Sequence, residues 1–570
     1  MPVARRVQGR DRSDFVEAIA SLFHASPPTG VERPALRGVA SVALLASLSA
    51  CGGAHSTPLD STFAGGPEGG VAGSTTGASG GSGISVSLDG SVILLGGGPG
   101  ASAGTDGGAL DASATTSVVC DDAGVCSCPG NTTTITGFVY DPAGVNPLYN
   151  VSVYVPDPSS PLPDLDTVPL SCGCSQLYPA TVLAAGPPTD ATGAFQITCA
   201  PTGTVTLVVQ TGKWRIEYPG ITIVANQPND VGNLRLPANS SQGSLPDIAI
   251  STGGADSLEC LPLRIGVSAS EYVLGSATGG HLHIYTGYHG ATTAQGSVQS
   301  YQTLWDSQAD LNQHDVVLLS CEGHETTGGN PGVALTATPQ TYLMDYANAG
   351  GRVFASHFHY AWFNTGPFDT GADQLATWIT GVQAIDDTVS FPGDIDTTLA
   401  SGAAFPEGAA LDQWLGVVGA LTGSQLPIWF TRHNVSALVQ PPSTEWIHLD
   451  PSVTAAPSAT QYFSVDTPIG STGASVCGRI VYSDLHVSGG PGVNEPGVPP
   501  DYPNPAGAGR AGAGGAMQGG IVPTGCAMHP LTPQEAALEF MLFDLSSCLV
   551  PIGQNTTPTP PTVVAPPIPR

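Results

Sequence analysis

Apolar and polar residues alternate twice between residues 132 and 156, TTITGFVYDPAGVNPLYNVSVYVP. Ile135, Gly137 and Val139 share one face, and Val151, Val153 and Val155 share another, with a Pro/Gly turn between. A period of two bounded by turn residues predicts two β-strands. Residues 189–201, 203–215 and 218–236 repeat the pattern with turns between them, and strands at this spacing predict a small β-sandwich. Beyond residue 245 the pattern changes. A strand over Ile248–Ser251, a Gly-containing turn and a helix starting near Asp256, a good N-cap, come first. DVVLLS (315–320) is an apolar run without helical period, which reads as a strand buried on both faces. Tyr342, Leu343, Tyr346 and Ala347 then recur at helical spacing until Gly350-Gly351 stops them, and Arg352–Ser356 is again a strand. Strand, helix, strand describes a βαβ unit. A helical stretch around Trp414–Leu421 and strands within 426–435, 459–470 and 477–489 follow. The last element is a helix in 531–549, with Thr532 as N-cap, Pro533 at N1 and Glu535 at N3. Its Ala537, Leu538, Met541, Leu542 and Leu545 form one apolar face.

Composition adds a compartment. The 570 residues hold 74 Gly and 51 Pro, too punctuated for one domain, and only 15 Lys+Arg stand against 45 Asp+Glu. After residue 50, 9 basic and 41 acidic residues remain, a charge near −32 that repels phosphate backbones and excludes nucleic acid as a partner. Twelve cysteines point to disulfides in an oxidising compartment, including the Cys-x-Cys pairs at 126/128 and 172/174. Arg33 and Arg37 precede an apolar stretch from Val39 to Ala50, the order of a secretory signal. Leu48-Ser49-Ala50-Cys51 resembles the bacterial lipobox, which implies lipidation of Cys51, attachment to a membrane without spanning it, and an outer-membrane or cell-surface location. Outside the N-terminus no 18-residue apolar segment exists. Residues 1–50 are thus an extension plus signal, 51–118 a disordered Gly/Ser-rich tether, and 550–570 a disordered Pro-rich tail, with 488–525 a Gly/Pro-rich excursion.

Reactive side chains follow the predicted strand ends: Cys321, Glu322 and His324, then His357 and His359, then Asp484 and His486. Ligands of open parallel sheets bind outside those ends. His357 and His359 share a strand face by period two, as do His281 and His283. His-x-His with a carboxylate suits a borderline divalent metal such as zinc, with His357, His359, His324 and Glu322 as candidate ligands. The same residues also fit hydrogen-bonded loop histidines capping a sheet. Cys321 reads three ways: a disulfide with Cys260, an inert buried thiol, or a nucleophile served by His324 or His357. The turn 251–254 offers backbone N–H groups to an anion, although it lacks both nucleotide-loop patterns. Tyr360, Trp362, Trp414 and Trp429 serve either a core or the stacking of sugar rings. Glu535 and Glu539 read as capping and solvent residues.

Two resemblances organise these readings. G-x-V-x-D-P-A-G at 137–144, the later V-x-V-Y-V-P and T-D-A-T-G-A-F at 189–195 resemble the carboxypeptidase-regulatory-like, or transthyretin-like, family, with an insertion at 157–188. This implies a β-sandwich over 119–240. DVVLLS, L-x-D-Y-A-N-A-G-G-R-V-F-A-S-H-F-H (343–359) and G-R-I-V-Y-S-D-L-H-V (478–487) resemble the class I glutamine-amidotransferase-like fold, and within it the trehalose-utilisation-like family. This implies a flavodoxin-like α/β domain over 245–549. Active amidotransferases place a nucleophilic Cys within G-x-C-x-G after the strand matching Arg352–Ser356. Here that place reads Ala355-Ser356-His357-Phe358-His359, so the nucleophile motif is absent.

The expectation is a multidomain surface lipoprotein acting as a non-catalytic binding or adhesion module for a carbohydrate or protein ligand. The alternative is an extracytoplasmic hydrolase or carbohydrate-active enzyme using the His/acid crevice, with a metal. The enzyme requires His357, His359 and Glu322 to converge on one open cavity.

Overall fold

A computed structural model describes residues 119–120, 126–128, 130–287, 290, 299–323, 337–487 except 388, 522–523, 526, 528, 530–549, 551–553 and 562–563. The chain divides into two compact units, 1–84 and 85–570, and every described residue belongs to the second. Cys51, the tether, His324 and most of the 488–525 excursion lie outside the described residues.

The alternating segments become strands β1 (Thr134–Tyr140), β2 (Ser152–Pro156), β3 (Thr181–Ala185), β4 (Ala194–Ile197), β5 (Gly203–Thr211), β6 (Trp214–Ile223) and β7 (Pro228–Arg235). One sheet runs β6-β5-β2-β3, all antiparallel, with Gly243–Ser244 and Thr562–Val563 added at its edges. The other runs β4-β1-β7, where β1 pairs antiparallel with β4 and parallel with β7. Their inner residues, among them Ile135, Val139, Val153, Leu207 and Ile197, meet in one core, as the period of two predicts.

The second half is built on a ten-stranded sheet: β8 (Ile248–Thr252), β9 (Tyr272–Leu274), β10 (Leu282–Thr286), β11 (Val316–Leu319), β12 (Arg352–Ser356), β13 (Phe391–Ile395), β14 (Leu426–Ile428), β15 (Thr444–Leu449), β16 (Thr460–Thr467) and β17 (Gly478–Ser483). Its order is β9-β10-β8-β11-β12-β17-β16-β15-β13-β14, the first six strands parallel and the last four antiparallel. Because β9 pairs with β10 rather than with β8, this order departs from the flavodoxin one. Every residue of β8, β11, β12 and β17 is buried, which is why they read as unbroken apolar runs rather than alternations.

Among the described residues three helices of a dozen residues or more cover the sheet: α1 (Ala337–Asn348), α2 (Pro406–Val417) and α3 (Pro533–Ser546). On one face, Leu343, Tyr346 and Ala347 of α1 pack with Trp305 and Trp362. Gly350, at φ 114°, ends α1 by donating its N–H to the Ala347 carbonyl at 3.1 Å, a backbone conformation open to glycine. On the other face, α3 starts with the expected capping box, the Thr532 hydroxyl accepting from Glu535 N (3.2 Å) and Glu535 Oε2 from Thr532 N (2.9 Å). It is nevertheless buried on nearly all sides, because the sandwich packs on its outer flank. Tyr149 stacks on Phe540 at 5.8 Å and Trp214 meets Phe543 at 5.7 Å, so one core runs from Ile135 to Leu545. Glu539 is therefore not a solvent residue. It is fully buried and accepts from Asn146 Nδ2 at 2.6 Å. The helix expected near Asp256 is shorter than its apolar pattern implies, a 3-10 turn at Leu258–Cys260 followed by Leu261–Arg264. Among the described residues no helix is long and apolar enough to cross a membrane.

Among the described residues four cysteine pairs stand at disulfide distance: Cys128–Cys199, Cys172–Cys477, Cys174–Cys548 and Cys260–Cys526. The expected Cys260–Cys321 bridge is thus corrected. Cys260 sits where the excursion returns and pairs with Cys526, while Cys321 turns into the sheet end as a free thiol.

Several acids are buried, Asp141 and Glu539 where the two halves meet and Glu259 within the second half. Burial pushes Asp141 up to about 6 and Glu259 up to about 8, and Glu539 is raised by burial and by Asp141. Neither oxygen of Glu259 has a hydrogen-bond partner among the described residues. A carboxyl raised on folding stabilises the fold fully below its unfolded pKa and loses that contribution as pH climbs through the folded value. On the other limb, burial holds His314 near 3, so its contribution is complete above the ordinary imidazole range and is lost as pH falls toward that value. Stability by urea titration is expected to peak between these limbs and to fall by a few kcal/mol from pH 6 to pH 9, since each tenfold difference in proton affinity between folded and unfolded chain is worth about 1.4 kcal/mol. Glu259→Gln should flatten the alkaline limb; an unchanged limb would assign the fall to other groups.

Candidate functional site

Three adjacent parallel strands deliver the site. Leu319 of β11 pairs in register with Ala355 of β12, and Ser356 with Ser483 of β17, so the residues just beyond them lie level. Cys321 follows β11, His357 follows β12 directly and His486 closes the turn after β17. His357 Nδ1 lies 3.4 Å from Cys321 Sγ and 2.9 Å from His486 Nε2. His357 has φ 40°, a costly turn for a residue with a side chain, and it begins the 3-10 segment His357–Trp362. This is the position where the amidotransferase-like resemblance expects the nucleophile, and an imidazole occupies it.

The orientation of His357 is fixed by a chain of acceptors. Asn434 Nδ2 donates to the carbonyls of Ile379 and Gly381, at 2.7 Å each, which turns its Oδ1 toward His357. His357 Nε2 stands 3.2 Å from that Oδ1 and 3.2 Å from the Val382 carbonyl. Two acceptors there require the N–H on Nε2. Nδ1 therefore presents a lone pair to Cys321 and His486.

The strand ends are closed. Cys321 and His357 are 0% exposed and His486 is 6% exposed. Burial pushes the Cys321 thiol up to about 12, with Asp256 adding to it, the reverse of what a nucleophilic thiolate needs. Burial also holds His357 near 3 and His359 near 4, and keeps His486 well below its ordinary value, so all three imidazoles are neutral. Asp484, raised by burial to about 6, turns away from the cluster, accepting from Val435 N at 3.0 Å and lying 2.9 Å from the Tyr482 hydroxyl.

The expected set is only partly brought together. His359 does not join His357, because the period of two ends with the strand and the 3-10 turn swings it aside. Its Nε2 donates to the Ser320 carbonyl at 2.8 Å, and its Nδ1 accepts from Trp362 Nε1 at 3.2 Å, which makes it a brace between β11 and β12. Glu322 is buried on the β10 side, where a Cβ on Gly287 would stand 2.8 Å from its Oε1. His281 and His283 lie at the other end of the sheet with Glu271, Gly275 and Asp247. Just past the turn 251–254, the N–H groups of Ala255 and Asp256 donate to the Cys321 carbonyl at 2.9 and 3.2 Å, so neither is left for an anion. Ser257, not Asp256, stands at the N-cap of the 3-10 turn; the Asp256 carboxylate accepts from Ser356 Oγ at 2.7 Å, and Ser356 Oγ accepts from Cys321 N at 2.9 Å. Tyr360, Trp362 and Trp414 are core residues, 1% exposed or less, so they offer no sugar platform; Trp429 is half-buried.

Sequence reasoning missed Asn434 and the role of Asp256. Asn434 lies 77 residues from His357, and nothing in its neighbourhood marks it. Among the described residues two groups bring three metal-type donors together: Cys321, His357 and His486, and the half-buried Asp396, Glu445 and His448.

No family model matches the chain, and no curated protein does. Solved structures align only locally. A type II cohesin–X-dockerin complex from Acetivibrio cellulolyticus aligns at 13% identity over 21% of this chain and 76% of that one, with a TM-score of 0.13. A cytoplasmic protein from Salmonella typhimurium aligns at 11% identity over 43% and 89%, with a TM-score of 0.23. A 9R-lipoxygenase from Cyanothece aligns at 17% identity over 21% and 19%, with a TM-score of 0.12.

Proposed function

We propose that the chain is a lipid-anchored protein of the bacterial cell surface, whose transthyretin-like sandwich and amidotransferase-like α/β part act together as a non-catalytic binding or adhesion module for a carbohydrate or protein. The observation that carries this reading is the covalent fastening of the two halves. Cys172 and Cys174, in the insertion of the sandwich, stand at disulfide distance from Cys477 and Cys548 of the other half. Such bridges persist outside the reducing cytosol and suit a body that must hold its shape at the surface. The closure of the strand ends over Cys321, His357 and His486 favours binding over turnover.

Two measurements test it. Intact cells carrying the chain or its Cys51→Ala variant are treated with external protease. The wild type is expected to be cleaved on whole cells and to fractionate with membranes, the variant to be released. Protein starting at residue 51 is then applied to arrays of bacterial and plant polysaccharides and of extracellular-matrix proteins, and bound glycans are assayed for new reducing ends. Binding without cleavage supports the module; turnover of a bound glycan would replace it with the hydrolase.

A further inference from the structure

We propose that Cys321 Sγ, His357 Nδ1 and His486 Nε2 form a binding site for a closed-shell d10 cation, zinc(II) or copper(I), that locks the ends of strands β11, β12 and β17 together. The three donor atoms all lie within 4.8 Å of one another on buried side chains. A tetrahedral zinc ion, with Zn–N about 2.05 Å and Zn–S about 2.3 Å, sets N and N about 3.3 Å apart and S and N about 3.6 Å apart. The observed 2.9 and 3.4 Å need an opening of only a few tenths of an ångström.

Three further features fit a metal better than a hydrogen-bonded cluster. The single lone pair on His357 Nδ1 faces two potential donors, Cys321 S–H and His486 N–H, and can satisfy one of them. An ion satisfies all three atoms. Second, the opposite nitrogen of His357 is anchored by Val382 O and Asn434 Oδ1, and Asn434 is itself anchored by two carbonyls. Outer partners of this kind aim metal-bound imidazoles. Third, among the described residues Cys321 remains a free thiol while eight other cysteines stand in four pairs. One thiolate with two imidazoles selects zinc or copper(I) over the hard, oxygen-seeking cations. Binding releases one proton, from Cys321 to solvent, shifts the His486 proton from Nε2 to Nδ1 so that Nε2 offers its lone pair, and changes no oxidation state. With so little exposure at the three residues, the ion is taken up as the strands assemble and is afterwards slow to leave.

The full chain is produced in separate media supplemented with zinc, copper or cobalt, purified without chelators, and analysed for elemental content per chain. One equivalent is expected, retained through prolonged dialysis against EDTA. The metal found in protein from unsupplemented cells distinguishes zinc from copper. Cobalt-loaded protein should show a near-ultraviolet sulfur-to-cobalt charge-transfer band that disappears in Cys321→Ser. His359→Gln should keep the band, since His359 is spent on Ser320 and Trp362. X-ray absorption of the wild type alone, expected to give one sulfur and two nitrogens, decides the case even if Cys321→Ser fails to fold. Folded, metal-free protein from all three media, or equal metal in Cys321→Ser, would overturn the proposal.

Discussion

Arg479→Met is expected to cost about 3 kcal/mol of stability, measured by urea titration at neutral pH, because it leaves the half-buried carboxylates of Asp466 and Asp544 without their shared cation. Arg479 lies near the start of β17 with its side chain 1% exposed. Its Nε donates to Asp466 Oδ1 at 2.8 Å and its Nη1 to Asp544 Oδ2 at 2.9 Å. Asp544 occupies the last turn of α3, where a negative charge opposes the helix dipole unless a cation answers it. The guanidinium therefore joins the sheet to the helix that both halves share, and Asp466 Oδ2 extends the link by accepting from Ile552 N at 3.1 Å. One control separates charge from packing. Adding Asp466→Asn and Asp544→Asn to Arg479→Met should recover most of it, since the uncompensated charges are then gone. If the triple variant is as unstable as the single one, the loss lies in packing.

The legible parts of this fold are those whose signal is local. The alternation at Ile135 and Val139, the glycine stop after α1 and the capping box at Thr532 each depend on a few adjacent residues, and each stands as its pattern implies. The strands β11, β12 and β17 are legible for the same reason, and so is the placing of reactive residues at their ends. What the pattern does not carry is direction. His357 and His359 share a face only if the strand continues, yet the chain turns at His357, where φ is 40°, and sends His359 to Ser320. Cys321 and His486 meet His357 only through the strand order, which places β17 beside β12 after more than a hundred intervening residues. Glu539 reads as a solvent residue in sequence because its burial comes from the sandwich, a surface invisible within the helix itself.

The second large effect concerns the paired bridges. Cys174 and Cys548 are 374 residues apart, and Cys172 and Cys477 are 305 apart. Closing one such ring reduces the entropy of the unfolded chain by about 6 kcal/mol at room temperature. The second ring, nested beside the first, adds about 4–5 kcal/mol. Replacing Cys174 and Cys548 together by Ser, so that no stray thiol remains, should lower stability by that smaller amount and the melting temperature by several degrees. Removing all four cysteines exceeds what most domains can spare, so no folded protein is expected to accumulate. An unchanged melting temperature in the first variant would mean that the Cys174–Cys548 bond does not form.

The same connectivity bears on mechanical load. When a folded chain is pulled at two points, covalent shortcuts decide how much of it can pay out between them. Between Cys128 and Cys548, 420 residues apart, the route through the two bridges leaves only the 25 residues from Cys174 to Cys199 in series. At about 3.5 Å per extended residue, that route spans at most about 90 Å between Cys128 and Cys548 under tension, where an unbridged chain would run to about 1,500 Å. Everything from Cys199 to Cys548 is bypassed by the load, including the strand ends at Cys321, His357 and His486.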